Sequence, residues 1–142
     1  MKFKPAIPKN YPDLVLAIGA ASIIVVGLFL LGIPAFNYLQ GRAYEAAIRG
    51  NAATLQLAAE TYASANLGQY PEDPYDLIKY LPQNEPPLNP FTGEASLFRG
   101  QPGDLTYRSP TNGQDYVIEA WGKNKGDQPR RLLLLKGHQS RW

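Results

Sequence analysis

The sequence predicts an α+β chain in which one long N-terminal helix packs on a small antiparallel sheet of three to four strands. Three observations predict it. Residues 14–36 carry no charge and are almost wholly apolar. Residues 37–66 then keep apolar side chains at three- and four-residue steps, the period of one helix face. Beyond a proline-rich stretch, short alternating runs are separated by glycine, proline and asparagine turns, the pattern of hairpins. The resulting division is a short basic segment over 1–13, an apolar helix over 14–36, an amphipathic helix over 37–67, and a Pro-rich loop with a sheet over 68–142.

The apolar helix is the plainest element. Leu14–Ile33 is 20 residues whose most polar member is Ser22. At about 1.5 Å per residue it spans roughly 30 Å, the thickness of a bilayer's hydrocarbon core. A buried core helix and a cleaved secretory signal are the other readings. A signal's apolar region usually runs only about 7–15 residues, and Ile33-Pro34-Ala35 is a poor cleavage site. The segment therefore reads as a transmembrane anchor, with Leu14, Ile18, Ile23, Val26, Leu30, Pro34 and Phe36 as its membrane and assembly residues. Lys2, Lys4 and Lys9 precede it, whereas Arg42 and Arg49 follow later and beside Glu45. That bias places the N-terminus on the cytoplasmic side and the rest outside. Tyr11 at the entry and Phe36 with Tyr38 at the exit suit the two interfaces. Gly19, Gly27 and Gly32 would admit a neighbouring helix but form no GxxxG.

The helical pattern does not stop at the membrane exit. Tyr44, Ala47, Ile48, Leu55, Ala58, Ala59 and Tyr62 form an apolar stripe, while Glu45, Arg49, Gln56, Glu60 and Ser64 lie opposite. Tyr44, Ile48, Leu55, Ala59 and Tyr62 are expected to pack the helix on the sheet. Glu45 and Arg49 stand at an i,i+4 spacing with the acid first, worth a few tenths of a kcal/mol. Abundant alanine supports helix by propensity, and Gly68 is a natural stop. No turn cluster surrounds Pro34, so a kinked but continuous helix of about 50 residues is expected.

Six prolines, at 71, 74, 82, 86, 87 and 90, break up the next stretch. Tyr70–Pro74 reads as a turn, Asp76–Leu81 as one or two helical turns stopped by Pro82, and Pro86–Gly93 as a rigid loop. Ala95–Arg99 is a weak strand candidate. Leu105–Arg108 follows a Pro-Gly-Asp turn, and Asp115–Trp121 alternates, with Tyr116, Ile118 and Ala120 on one face. Asn112-Gly113 is a strong turn signal between those two runs. Gly122–Asp127 turns again before Arg130–Lys136, whose four leucines suit a strand and also a helix.

Composition narrows function. The chain has 14 Lys+Arg against 12 Asp+Glu, one His and no Cys. Disulfides, thiolate chemistry, iron–sulfur ligation and multi-histidine metal sites are excluded. A net charge of +2, spread along the chain, does not point to nucleic acid. The 23 residues of 14–36 hold none of the 26 charges, which explains a charged fraction of only 18%. His138 stands in the C-terminal tail without a positioned acid or nucleophile in view. Glu72, Asp73 and Asp76 are read as turn and helix-start charges before metal ligands. Arg130, Arg131, Lys136 and Arg141 make a basic but ordinary tail. With no GxGxxG, P-loop or GxSxG present, no enzyme, cofactor or metal site is expected.

A family resemblance joins these parts. Ile33-Pro34-Ala35-Phe36-Asn37-Tyr38-Leu39-Gln40-Gly41-Arg42 resembles the membrane exit of type IV pilins and type II secretion pseudopilins. Gly68-Gln69-Tyr70-Pro71 resembles the passage into the family's globular head. Asn89-Pro90-Phe91-Thr92-Gly93, Tyr107-Arg108-Ser109-Pro110 and Gln114-Asp115-Tyr116-Val117-Ile118 with Gly122 are similar to the major pseudopilin pattern. The resemblance covers roughly residues 14–126. It implies a long helix on a four-stranded sheet, many copies bundling their apolar helices into a filament, and partners among like subunits and an inner-membrane assembly machinery. The chain departs from the family in three ways. The prepilin cut would fall between Pro12 and Asp13, with no glycine there. The family's mature glutamate is replaced by Ala17. The calcium loop's equivalent, Gly122–Pro129, offers only Asp127, so no calcium is expected. Two functions follow as expectations: a filament subunit, or a membrane-anchored binding module that is neither cleaved nor polymerised.

Overall fold

A computed structural model describes residues 11–96, 98–109 and 112–137. The basic flank with Lys2, Lys4 and Lys9, Leu97 of the Ala95–Arg99 run, Pro110 and Thr111, and the tail with His138 and Arg141 lie outside the described residues. The architecture is α+β. A 55-residue helix, α1 (Tyr11–Ala65), is followed by two short 3-10 helices (Pro74–Tyr80 and Pro82–Asn84) and three strands. The strands are β1 (Leu105–Arg108), β2 (Val117–Lys123) and β3 (Pro129–Lys136). They form an antiparallel sheet in the order β1-β2-β3. The chain divides into two compact units, 1–40 and 41–142, described separately below.

Within the first unit, α1 passes through Pro34 without a break. Its large apolar side chains stay exposed, from Leu14 at 50% to Leu31 at 76%. The Ser22 hydroxyl donates to the Ile18 carbonyl at 2.8 Å, so the segment's most polar side chain is satisfied within the helix.

In the second unit the same helix becomes one-sided. Ile48, Ala52, Leu55, Ala58, Ala59 and Ala63 are buried, against Leu77 and Leu81 and the sheet residues Leu105, Tyr107, Ile118 and Ala120. Steps of three and four place these six on one face. The stripe is shifted slightly from the expected one: Ala47 is exposed, and Ala52 and Ala63 join the core. Tyr44 and Tyr62 flank the buried face by edge-on packing against Phe91 and Tyr80. The helix ends where Leu67 (φ 58°) and Gly68 (φ 82°) turn left-handed and the Gly68 N–H donates back to Ala63.

In the sheet, Ile118 and Ala120 face the helix, opposite Leu135 and Leu133 of β3. A bulge between Ala120 and Trp121 lets β3 present Leu132 as well as Leu133 to the core. The four-leucine run is therefore a strand, and only Leu134 among the four is exposed. Ala95–Arg99 forms no strand among its described residues. Only an isolated bridge joins Ala95 to Leu88. The loop around it is fastened by buried Asn89, which donates to Pro102 and Asp104 and accepts from the Phe91 N–H. Gly103 (φ 89°) passes so close that a Cβ there would strike the Asn89 amide.

Candidate functional site

The first candidate surface is the apolar half of α1. Leu14, Ile18, Ile23, Val26 and Leu30 are exposed, with Pro34 inside the helix and Phe36 65% exposed. An 18-residue window here reaches a mean hydropathy of 2.9 with none of it buried. The helix is long and apolar enough to cross a membrane. Removing such a surface from water is favourable by roughly 25 cal/mol for each apolar Å².

Ile48, Leu55 and Ala59 are fully buried, with Tyr44 and Tyr62 half-buried at either end of the contact. Glu45 does not turn to Arg49; its carboxylate pairs with Arg130 of β3, 85 residues away. This ion pair is half-exposed and adds little stability, yet it fixes which helix turn meets the start of β3.

A polar cluster at the other end of the contact was not foreseen. Glu60, expected on the solvent side, reaches into the contact between helix and sheet. Its Oε1 accepts from the Tyr116 hydroxyl at 2.7 Å and its Oε2 from the Tyr70 hydroxyl at 3.0 Å. Tyr70 packs edge-on against Tyr116, their centroids 4.7 Å apart, and Tyr107 stacks on Tyr116 from the sheet. The Tyr107 hydroxyl donates to the Pro71 carbonyl. Burial, reinforced by the Glu60 charge that accepts its proton, pushes the Tyr70 phenol up to about 12. Burial first, then the Glu60 hydrogen bond, raises Tyr116 further; burial, then neighbouring phenols and Glu60, does the same for Tyr107. These phenols are hydrogen-bond donors locked in their neutral form, unsuited to shuttling protons near neutrality. A sequence clue existed: Glu60 directly follows Ala59 and stands three before Ala63, both buried, so it lies on the stripe's edge.

Beside this cluster opens a cleft of about 540 Å³ whose lining includes Tyr62, Asn66, Glu72, Asp73, Asp76 and Gly113. The Asn112-Gly113 turn closes one wall, with both residues left-handed and the Gly113 carbonyl accepting from the Tyr70 N–H. Asp73 caps the 3-10 helix by accepting from the Tyr75 N–H at 2.9 Å. Among the described residues, no three His, Cys, Asp or Glu side chains converge on a metal position. In the β2–β3 turn, Asp127 pairs with Lys123, and Asn124 accepts from the N–H groups of Gly126 and Gln128.

No protein-family model, curated protein or solved structure matches the chain.

Proposed function

We propose that the chain is a membrane-anchored, pilin-like structural subunit of a type II secretion or type IV pilus-like filament, assembling through its apolar N-terminal helix. One observation carries the reading. A single helix is apolar and exposed on every side over its first half and buried on one face against a sheet over its second. A head domain borne on such a helix has one demand, cover for the apolar half, and lipid and a bundle of identical helices both meet it. The motifs that resemble pseudopilins in sequence supply the choice of class. On this reading the N-terminus is cytoplasmic, the head lies outside, and the partners are the bilayer, further copies or other pilin-like subunits, and the machinery that extracts them. The role is structural, without catalysis, cofactor or nucleic acid.

A second reading has its own support: Ala17 stands where the resemblance calls for a glutamate, and no glycine precedes Asp13. It is a permanently anchored binding module that does not polymerise. Intact mass decides between them. A filament subunit appears in material sheared from cells, shortened by about the first twelve residues or otherwise processed. A full-length mass confined to the membrane fraction overturns the filament reading in favour of the module.

A further inference from the structure

We infer that Asn112 is a self-modification site: its side-chain amide condenses with the Gly113 backbone, ammonia leaves, and the aspartate and isoaspartate that form loosen the cleft wall at Tyr70. Asn112-Gly113 is the chain's one Asn-Gly step. Glycine lacks the Cβ that would obstruct approach of its own nitrogen to the preceding amide. The Asn112 side chain is exposed, and no described residue bonds its amide. The Gly113 N–H, which must attack, likewise donates to no described residue, although the Gly113 carbonyl accepts from the Tyr70 N–H at 2.7 Å. Four other asparagines of the head are restrained. Asn51 donates to Leu88, Asn66 to Tyr62, and Asn89 to Pro102 and Asp104, while Asn124 accepts from Gly126 and Gln128. They are followed by Ala52, Leu67, Pro90 and Lys125, each larger than glycine.

The reaction needs only water and involves no change of oxidation state. Hydroxide takes the Gly113 N–H proton, and the nitrogen attacks the Asn112 Cγ. The new N–Cγ bond forms as the bond to the side-chain nitrogen breaks, and ammonia leaves. Water then opens the cyclic imide. Opening at Cγ restores the ordinary chain with aspartate at 112; opening at the main-chain carbonyl routes the chain through Cβ and Cγ as isoaspartate. Overall one water is consumed and one ammonia released. Both products act on the cleft, which Asn112 and Gly113 line. Aspartate adds a carboxylate to a lining that already holds Glu72, Asp73 and Asp76. Isoaspartate adds a carbon to the backbone of a turn that has no slack. Asn112 (φ 49°) and Gly113 (φ 81°) are both left-handed, and a Cβ on Gly113 would stand 3.0 Å from the Tyr70 carbonyl. The longer chain displaces the Gly113 carbonyl from the Tyr70 N–H, which then opens to solvent.

The full chain in detergent is held for days at about 37 °C, at about pH 7 and about pH 8, and then cut with trypsin. Peptide 109–123 carries Asn112 as its only asparagine. It should gain the mass of oxygen replacing NH and accept methyl groups from an isoaspartyl methyltransferase. Its conversion should run about tenfold faster than that of peptides bearing the other asparagines, and rise about tenfold between the two pH values, because the attacking nitrogen must lose its proton. The Tyr70 amide should exchange with solvent about tenfold faster in the converted chain than in fresh material. Asn112→Gly suits the left-handed backbone and has no side-chain amide. That variant should leave the peptide unmethylated and Tyr70 protected. A peptide 109–123 that keeps its mass, or converts no faster than the others, overturns the inference, as does methyl acceptance that survives Asn112→Gly. Conversion with Tyr70 exchange unchanged overturns the link to the cleft.

Discussion

Glu60 is the residue on which the head's helix-to-sheet contact turns. One carboxylate takes the hydroxyls of Tyr116 and Tyr70, on separate oxygens. Hydrogen bonds to a charged acceptor contribute about 1.5–3 kcal/mol each, and truncating the acceptor strands both donors. Glu60→Ala should therefore lower the head's stability by about 2–4 kcal/mol, read by denaturant unfolding of the detergent-solubilised chain. Glu60→Gln, which keeps an acceptor oxygen, should recover part of it. The same cluster sets a pH dependence. Tyr70 is raised from about 10 to about 12, and Tyr107 and Tyr116 are raised further. Above pH 10 the unfolded chain releases phenolic protons that the folded head keeps, so unfolding gains with each step in pH. Stability should be flat through neutrality and fall from about pH 10 upward. Absorbance at the phenolate band should show a fraction of the nine tyrosines titrating only as the fold is lost. Titration of all nine near the ordinary value with the fold intact would contradict the burial described here.

At the scale of elements, α1 shows how far a pattern in sequence reaches. Its extent across Pro34, its amphipathic second half, its stop near Gly68, strand β1 and the middle of β2 were readable from period and turn residues; the leucine run of β3 suited a helix as well, and β2 runs on to Lys123 through residues that read as a turn. What was not readable was the phase of the helix to within one residue. Ala47 and Ala52 are chemically identical, and only the packing of the rest of the head on one face decides that the first is exposed and the second buried. Glu60 was misplaced for the same reason: a polar residue beside an apolar stripe looks solvated until two phenols from distant segments arrive. Ala95–Arg99 read as a weak strand because alternation does not reveal that buried Ser96 is pinned in a loop, its N–H donating to the Pro87 carbonyl and its hydroxyl accepting from the Leu105 N–H. The element-scale prediction uses two leucines only two residues apart. Leu55→Ala removes a fully buried side chain and should cost about 2–5 kcal/mol. Leu57→Ala removes one that is 68% exposed and should stay within about 0.5 kcal/mol. Denaturant midpoints of the two variants check the phase of the helix directly.

For the whole molecule, the decisive property is an apolar half-helix whose described side chains stay exposed. If it lies in a bilayer, Val26→Arg should cost roughly 3 kcal/mol of insertion and shift the chain from the membrane pellet toward the soluble or degraded fraction, while Leu57→Arg should not. The filament role makes a stronger demand, that the helices of different copies touch. The absence of cysteine makes this measurable with single substitutions stepped from Ile18 to Leu30 and oxidised in native membranes. The account predicts a ladder of cross-linked multimers whose yield peaks at three- and four-residue steps, the signature of a packed helix face. Monomer at every position, in membranes where the chain is abundant, would contradict self-assembly and leave an anchored module that works alone.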